Sequence, residues 1–478
     1  MIPVLRPYQD SMVVEVRQSF QRHRRVLAVA PTGSGKTILF AYITTRAAEK
    51  QKRVTIVAHR EEIINQIGRA LDSMGVRHGR IQSGHRMTDD PVQLGMIVTL
   101  GKRLSSVIPP DLLVIDEAHH AISPSYRAVA DAWPSTRILG VTATPARLDG
   151  HGLGDCFDAM LLGPTMGELI EQKYLAPYEY LAPPEKIDLS SVRTSRGDYA
   201  VDQLGEAMDK AMIVGDAIEH YTRYLNGRPA IVFCVTVAHA QHTAEAFSAA
   251  GYKAASVDGS MGSVERRIRM ESIGDGRLNV LTSCELISEG VDIPIVSGAV
   301  LLRPTKSLAL HLQQVGRALR PKPDGSPAVL LDHVGNVHRH GLPDAIRNWT
   351  LDGKNKSKAP PTATCEVCYR VFGTYPGWKL KEACGEGSHP DDCILDTVSD
   401  EDRPSKSAPE TVDGNLVQFS ITPAWADGIN IATARGQDWY QLLDRADTIE
   451  KLKQIGRARS YHYKWASHVF NERLAKSG

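Results

Sequence analysis

Residues 30–37 read Ala-Pro-Thr-Gly-Ser-Gly-Lys-Thr and decide the fold of the first part of this chain. An apolar run, 26–29, comes directly before this stretch, and a second apolar run, 38–41, comes directly after it. That order predicts a strand, a tight loop and the start of a helix. Backbone N–H groups at such a loop and at the helix start favour anions, so the stretch predicts a phosphate-binding loop. We refer to residues 30–37 as the glycine loop.

Individual residues of the glycine loop have separate expected roles. Gly33 and Gly35 permit the left-handed backbone angles that turn N–H groups inward. We expect Lys36 to reach the terminal phosphates of a nucleotide and Thr37 to offer its hydroxyl to magnesium. The predicted nucleotide-binding residues of the loop are Thr32, Gly33, Ser34, Gly35, Lys36 and Thr37.

A second segment of the same predicted site ends in acidic residues. The apolar run 112–115 continues into Asp116-Glu117-Ala118-His119. A continuous apolar run indicates a buried parallel strand, and ligands of parallel α/β sheets lie at the carboxyl ends of strands. We therefore expect Asp116 to hold hydrated magnesium and Glu117 to polarise the water that attacks the γ-phosphate of ATP.

Over about its first 340 residues the chain resembles the superfamily 2 helicases and translocases with a DEAH box. The segments that carry the resemblance are, in chain order, 5–9, 57–62, 98–100, 116–119, 142–145, 232–236, 282–294 and 313–320. The resemblance implies an α/β fold with two tandem RecA-like parallel-sheet lobes that bind ATP between them. It also implies that Arg6 and Gln9 belong to an adenine-recognition segment, in which Gln9 reads the base edge. Gly290 and Asp292 belong to a further nucleotide-binding motif.

The segment 313–320 contains arginines suited to stabilising a phosphoryl transition state. A planar guanidinium matches phosphoryl oxygens better than an ammonium group does. Arg317 and Arg320 are three residues apart, so a helix would place them on one face. They lie far from the glycine loop in the sequence, so they would reach the nucleotide only when two lobes close. We name Gln313, Arg317 and Arg320 with Lys36, Asp116 and Glu117 as candidate catalytic residues.

Length and charge limit the remaining possibilities. The 478 residues suggest about three domains. The 56 basic and 55 acidic residues nearly balance, so any nucleic-acid surface must be local. No apolar run approaches the ~20 residues of a membrane span, and the first residues lack a signal-peptide pattern. We expect a cytoplasmic protein without a membrane partner.

The predicted domains follow shifts in composition along the chain. Residues 1–180 form the ATP-binding lobe and residues 181–350 the second lobe, with the interlobe connection in the polar stretch 182–197. A zinc-binding module occupies 362–397, and a helical basic tail occupies 415–478.

Four of the seven cysteines fall in the predicted module, at Cys365, Cys368, Cys384 and Cys393. A C-x-x-C pair followed by two later cysteines can supply four thiolates to a tetrahedral zinc ion. His389 lies between the last two and could replace one ligand. The alternative interpretation is a loop with reduced thiols.

The tail combines basic and aromatic residues. Residues 447–478 are predicted to be helical, and Tyr461, Tyr463 and Trp465 alternate with basic residues there. Such a pattern suits stacking on single-stranded nucleic acid. It equally suits a small helical hairpin packed around Trp465, and the sequence leaves both interpretations open.

Within the superfamily, segments 5–9, 301–307 and 331–336 resemble the bacterial RadD-type helicases, which are DNA-repair ATPases with a cysteine-rich C-terminal region. This chain carries fewer cysteines and a further tail. The predicted function is an ATP-dependent DNA helicase or translocase acting in repair, recombination or replication. We expect it to need ATP, Mg²⁺ and Zn²⁺ and to bind single-stranded or branched DNA, with a possible protein partner at the C-terminal module. The alternatives are an RNA helicase, a duplex-DNA translocase or annealing motor without strand separation, and a non-catalytic nucleic-acid scaffold.

Overall fold

A computed structural model describes residues 3–145, 152–183, 189, 192–195, 198–208, 211–284, 295–345, 347–352, 362–364, 371–373 and 417–420. The strands of the first lobe are β1 (Arg25–Val29), β2 (Val54–Ala58), β3 (His78–Ile81), β4 (Val92–Met96), β5 (Leu112–Asp116), β6 (Arg137–Thr142) and β7 (Ala159–Leu162). Its helices are α1 (Pro7–Ser19), α2 (Lys36–Ala48), α3 (Glu61–Ser73), α4 (Ile97–Lys102) and α5 (Pro124–Ala132), with 3-10 turns at Leu104–Ser106 and Ala118–His120.

The first lobe is built on a parallel sheet with the strand order β3-β4-β2-β5-β6-β1-β7. Every residue of β2 and β5 is buried, because helices cover both faces of the sheet. Ile56 faces one apolar core, which contains Phe40 and Ile64, whereas the adjacent Val57 faces the other, which contains Tyr126. The continuous apolar runs of the sequence therefore become central strands.

The register of this sheet brings the predicted site residues to one edge. Val29, the last residue of β1, pairs with Thr142, the last residue of β6, and Asp116 of β5 pairs with Val141. Strands that run in parallel and end together release their loops at the same side of the sheet. The glycine loop and the acidic segment consequently face each other.

The second lobe contains a second sheet of the same kind. The strands of the second lobe are β8 (Tyr178–Ala182), β9 (Thr194–Ser195), β10 (Asp198–Tyr199), β11 (Ala230–Cys234), β12 (Ala254–Val257), β13 (Val280–Cys284), β14 (Gly298–Leu301) and β15 (Ala328–Asp332). Its helices are α6 (Met166–Glu171), α7 (Val201–Met208), α8 (Ala211–Tyr224), α9 (Val237–Ala249), α10 (Ser263–Gly274), α11 (Leu308–Ala318) and α12 (Asn336–His340). Three short strands follow: β16 (Thr362–Thr364), β17 (Val371–Gly373) and β18 (Val417–Ser420).

The second sheet has the order β12-β13-β11-β14-β15-β8-β18, with only β18 antiparallel to its neighbour. Separately, β16 and β17 form an antiparallel pair, and so do β9 and β10. The predicted α/β fold with two parallel-sheet, RecA-like lobes is confirmed.

The division between the lobes lies earlier than the sequence predicts. The predicted boundary at residue 180 falls inside β8, which pairs with β15 of the second sheet. The side chains of Met166, Leu169 and Leu175 also pack in the core of the second lobe. The chain therefore crosses between the lobes after Leu162. The sequence did not reveal this boundary, because the pairing of β8 with the distant strand β15 leaves no local change in composition.

The C-terminal predictions fall mostly outside the described residues. That is the case for Cys365, Cys368, Cys384, Cys393 and His389, and for the predicted helix at 447–478. Of the predicted helical tail 415–478, the described part, Val417–Ser420, is a strand. Among the residues that the structure describes, no helix has both the length and the apolar composition needed to cross a membrane.

Candidate nucleotide site between the two lobes

The glycine loop adopts a conformation that requires glycine at two positions. Gly33 and Gly35 have φ angles of +84° and +80°, in the left-handed region. A Cβ atom on Gly33 would lie 2.8 Å from Cδ2 of Leu175, and one on Gly35 would lie 2.7 Å from Nε2 of Gln9. Helix α2 begins directly afterwards at Lys36. The strand, loop and helix start therefore follow one another as the sequence predicts, and such a helix start favours anions.

Lys36 is half-buried and lies among charged side chains of both lobes. Its Nζ donates to the carbonyl oxygen of Pro31 at 3.3 Å. Burial lowers the pKa of Lys36, the charges of Glu117 and Asp116 act to raise it, and the charge of Arg317 lowers it further. The structure therefore brings a lysine, two carboxylates and an arginine of the second lobe into one electrostatic neighbourhood.

The two carboxylates are close to each other and buried. Asp116 and Glu117 are both 7% exposed, and Oδ1 of Asp116 accepts a hydrogen bond of 3.0 Å from the backbone N–H of Glu117. Burial and the neighbouring Glu117 raise the pKa of Asp116 to about 7, against the opposing charge of Lys36. A divalent cation would favour the ionised form of this pair, so the donor set fits magnesium, which takes few protein ligands.

Glu117 is held in an uncommon backbone conformation. Its φ and ψ angles are 49° and 54°, a left-handed conformation that costs a non-glycine residue of order 1–3 kcal/mol. It comes between β5 and the 3-10 turn Ala118–His120. The conformation is one that tertiary contacts must stabilise, and such residues concentrate at functional sites.

His119 lies between Glu117 and the end of β6. Its Nδ1 is 3.4 Å from Oε2 of Glu117 and 3.2 Å from Oγ1 of Thr142. The Thr142 hydroxyl donates to the carbonyl oxygen of Thr144 at 3.0 Å, so towards His119 it can only accept. With the hydroxyl in that orientation, an N–H at Nδ1 of His119 faces both the carboxylate and the hydroxyl.

The predicted adenine segment supports the glycine loop. The amide of Gln9 accepts from the backbone N–H of Arg6 at 3.0 Å and donates to the carbonyl oxygens of Ser34 and Gly35 at 3.2 and 3.3 Å. Gln9 is 4% exposed. Through these bonds Gln9 stabilises the conformation of the glycine loop. This role is separate from its predicted contact with the edge of the adenine base.

Sequence reasoning missed one residue of this region, Tyr174. Its ring lies 4.6 Å from the guanidinium carbon of Arg6 and 5.4 Å from the ring of Tyr8, in an edge-to-face arrangement. Tyr8 in turn donates to the carbonyl oxygen of Ser34. Tyr174 carries no local motif, so its place beside the glycine loop could not be inferred before the lobes were assembled.

Helix α11 of the second lobe approaches the glycine loop at Gly316. A Cβ atom on Gly316 would lie 2.8 Å from Cβ of Thr32 and 2.9 Å from its Cγ2. Arg317 follows directly, and its charge acts on Lys36. The predicted sharing of a helix face by Arg317 and Arg320 is wrong, because α11 ends at Ala318 and Pro321 disfavours helical angles at Arg320.

Two buried polar atoms of the site have no hydrogen-bond partner among the described residues. They are Oγ of Ser34, in the glycine loop, and Nε2 of Gln313, on α11. Buried polar atoms are normally bonded, so these two fit a site that is completed by a polar ligand. The predicted residues Gly290 and Asp292 lie outside the described residues. Within the described ranges, no cluster of three or more His, Cys, Asp or Glu side chains could hold a metal ion.

Comparisons with known proteins match each lobe to a protein family. Residues 2–147 match the family described as type III restriction enzyme, res subunit, and residues 212–322 match the helicase conserved C-terminal domain. A 51.5 kDa protein of Lactococcus phage (isolate 7-9) is 38% identical over 323 residues, which cover 67% of this chain and 68% of the phage protein.

More distant similarity extends to cellular proteins. The candidate ATP-dependent helicase Irc3 of Saccharomyces cerevisiae is 27% identical over 361 residues, and the match covers 70% of this chain but 52% of Irc3. The solved fragment of a candidate HsdR subunit of a type I restriction enzyme from Vibrio vulnificus YJ016 has a TM-score of 0.57. That likeness, at 19% identity, covers 74% of this chain and 68% of the fragment and concerns the fold alone.

The two family matches cover one lobe each, at residues 2–147 and 212–322. The chain belongs to the superfamily 2 helicases and is a nucleic-acid-dependent ATPase.

Proposed function

We propose that this protein is a DEAH-box, RadD-like DNA helicase or translocase that hydrolyses ATP in the cleft between its two lobes. One observation carries the proposal. Gly316 of the second lobe lies against Thr32 of the glycine loop, which brings the adjacent Arg317 near the half-buried Lys36 and the buried Asp116 and Glu117. Such a site is complete only while the lobes are close together, which suits a motor that couples closure to catalysis.

In this proposal each side chain has one task. Lys36 and the N–H groups of the glycine loop would bind the terminal phosphates, and Thr37 and Asp116 would hold magnesium. The metal ion would supply positive charge at the phosphate oxygens. Glu117 orients the attacking water and accepts its proton, and its place is supported by the N–H of His119. Arg317, with Arg320 as a second candidate, neutralises the charge that develops on the transferred phosphoryl group.

DNA is the proposed nucleic acid, with single-stranded or branched forms preferred. The start Leu5-Arg6-Pro7-Tyr8-Gln9 resembles the DNA-acting branches of the superfamily. The family matched by the first lobe is named for a restriction enzyme, which supports the same choice. RNA remains the second candidate, because the same motifs serve RNA helicases.

The decisive experiment measures ATP hydrolysis with single-stranded DNA, forked DNA, duplex DNA and RNA, followed by strand separation with the best activator. We expect single-stranded or forked DNA to stimulate hydrolysis most. Lys36→Ala should abolish turnover, and Glu117→Gln should bind ATP but hydrolyse it poorly. Lys50→Ala, an exposed lysine just after α2, is the matched control and should behave like the parent. Stimulation by RNA alone would overturn the choice of DNA, and near-normal turnover by Glu117→Gln would overturn the role of that residue.

We also propose a zinc site in the segment 362–397, held by Cys365, Cys368, Cys384 and Cys393. The supporting observation is that β16 and β17 are antiparallel partners that directly flank the C-x-x-C pair in the chain. The pairing of Thr364 with Val371 brings together the two residues that flank this stretch of the sequence. Elemental analysis of the purified chain should give one zinc per molecule. Four freely titratable thiols with no bound metal would contradict the proposal.

A further inference from the structure

Three histidine rings are in contact beside the acidic segment. The ring centroids of His119 and His120 are 4.1 Å apart, and those of His120 and His59 are 4.6 Å apart. His59 follows the last residue of β2, whereas His119 and His120 belong to the 3-10 turn after Glu117. The rings therefore connect two loops that are 60 residues apart in the sequence and join at the same sheet edge. We refer to His59, His119 and His120 as the histidine bridge.

One end of the histidine bridge reaches the hydrolytic carboxylate. Nδ1 of His119 lies 3.4 Å from Oε2 of Glu117 and 3.2 Å from the hydroxyl of Thr142. Glu117 itself is in the left-handed region, where only surrounding contacts keep a glutamate. A small displacement of the His119 ring would thus be transmitted directly to the position of the carboxylate.

The other end of the bridge is next to a contact between the lobes. Glu62, in the first turn of α3 and three residues after His59, forms an ion pair with Arg266 of α10 in the second lobe. Oε1 of Glu62 and Nη2 of Arg266 are 2.6 Å apart, and the two side chains are only 22% and 15% exposed. This ion pair exists only while α10 lies against the start of α3, so Glu62, three residues after His59, contacts the second lobe only in that arrangement.

We propose that the histidine bridge positions Glu117 for hydrolysis according to whether the second lobe is docked on segment 59–62 through Arg266. His120 is the key positioning residue, because its ring contacts both other rings. The inference rests on the proposed function, since it requires Glu117 to be the hydrolytic residue. In this proposal, lobe closure changes the position of the Glu117 carboxylate through the histidine bridge, separately from bringing Arg317 to the site.

The experiment compares steady-state ATP hydrolysis, at saturating nucleic acid, of the full-length parent, His120→Ala, His120→Phe and Arg266→Gln. Misplacement of a catalytic group by about 1 Å can cost a factor of about 100, so kcat of His120→Ala should fall about 10-fold to 100-fold. Its KM for ATP should stay within about twofold of the parent, because phosphate binding is not altered. His120→Phe retains a ring of similar shape and should restore most of kcat.

Arg266→Gln should lower kcat in the same way, whereas Arg267→Gln is the matched control. Arg267 is the next residue of α10, with a side chain 65% exposed, and should tolerate the change. If the His120 ring contacts and the Glu62–Arg266 ion pair act on Glu117 in series, kcat of the double variant His120→Ala/Arg266→Gln should be little lower than that of the worse single variant. The inference would be overturned if the loss of kcat in the double variant equalled the product of the two single losses. It would also be overturned if KM rose in proportion to the loss of kcat, or if Arg266→Gln and Arg267→Gln had the same kcat.

Glu117→Gln, measured alongside, separates this inference from the proposed function. An inactive Glu117→Gln together with a fully active His120→Ala would refute the histidine bridge and leave the ATPase assignment intact. An active Glu117→Gln would refute the assignment itself. Thermal unfolding of each variant shows whether it is folded. Arg266 lies between the lobes and not in the core of either, so the kcat of Arg266→Gln still tests the inference if His120→Ala is unstable.

Discussion

Gly316→Ala would test whether the closeness of the two lobes limits catalysis. The new methyl group would lie 2.8 Å from Cβ of Thr32 and 2.9 Å from its Cγ2. Carbon atoms pack at about 3.5–4.0 Å, so the lobes would have to separate by roughly 0.7–1.2 Å at this point. Arg317, the next residue of α11, would move away from the phosphates with the helix.

The expected result is a loss of turnover without a loss of stability. A displacement of about 1 Å corresponds to a decrease in kcat of about 100-fold, or about 2.7 kcal/mol in the barrier. Within a helix, alanine is more favourable than glycine by about 0.5–1 kcal/mol, so the melting temperature should not fall. The affinity for ATP should change little, because the glycine loop keeps its own conformation.

The assay is steady-state ATP hydrolysis with nucleic acid, together with nucleotide titration and thermal unfolding. Gly101→Ala is the matched control, since Gly101 is also in a helix and a Cβ atom there would have nothing within 4 Å. Thr32→Ser removes one of the two clashing carbons and should partly restore kcat of Gly316→Ala. A parental kcat for Gly316→Ala would refute the reasoning, and so would a decrease that only follows a lower melting temperature.

Two further predictions follow from the charges of the site and of the second lobe. Arg317→Ala should lower kcat by a factor of about 10³–10⁵, with a much smaller change in nucleotide affinity. The same hydrolysis and titration assays measure both quantities, and a loss of affinity without a loss of kcat would show that Arg317 only contacts the bound phosphates. Burial lowers the pKa of His333 to about 3 and that of His340 to about 4, against a usual value of 6.5. The unfolded chain therefore takes up protons first, and the free energy of unfolding should decrease by about 1.4 kcal/mol per histidine per pH unit from about pH 6.5 to about pH 4. Asp116, with its pKa raised to about 7, contributes with the opposite sign over this range, so the histidine contribution is measured as a difference between two chains. Denaturant unfolding at several pH values should give a shallower slope for His333→Phe than for the parent, and equal slopes would contradict the prediction.

Much of the nucleotide site could be predicted because its signals are local. The glycine loop needs an apolar strand before it, glycines at defined positions and a helix after it, and residues 26–41 contain all three. Likewise, the apolar run 112–115 ends in carboxylates, and a parallel strand presents such residues at the ligand-binding edge. The sequence by itself thus determined two parallel α/β lobes and the chemical character of the cleft.

Only the tertiary structure decided which distant segments meet. Strand β8 joins the second sheet through pairing with β15, Tyr174 contacts Arg6, and His59 contacts His120. None of these contacts follows from periodicity or motif spacing, since each depends on how separate elements pack. The end of α11 before Arg320 likewise separates two arginines that helical spacing would have joined. Sequence patterns report the local geometry and polarity of a segment, whereas contacts between segments arise from packing across the whole fold.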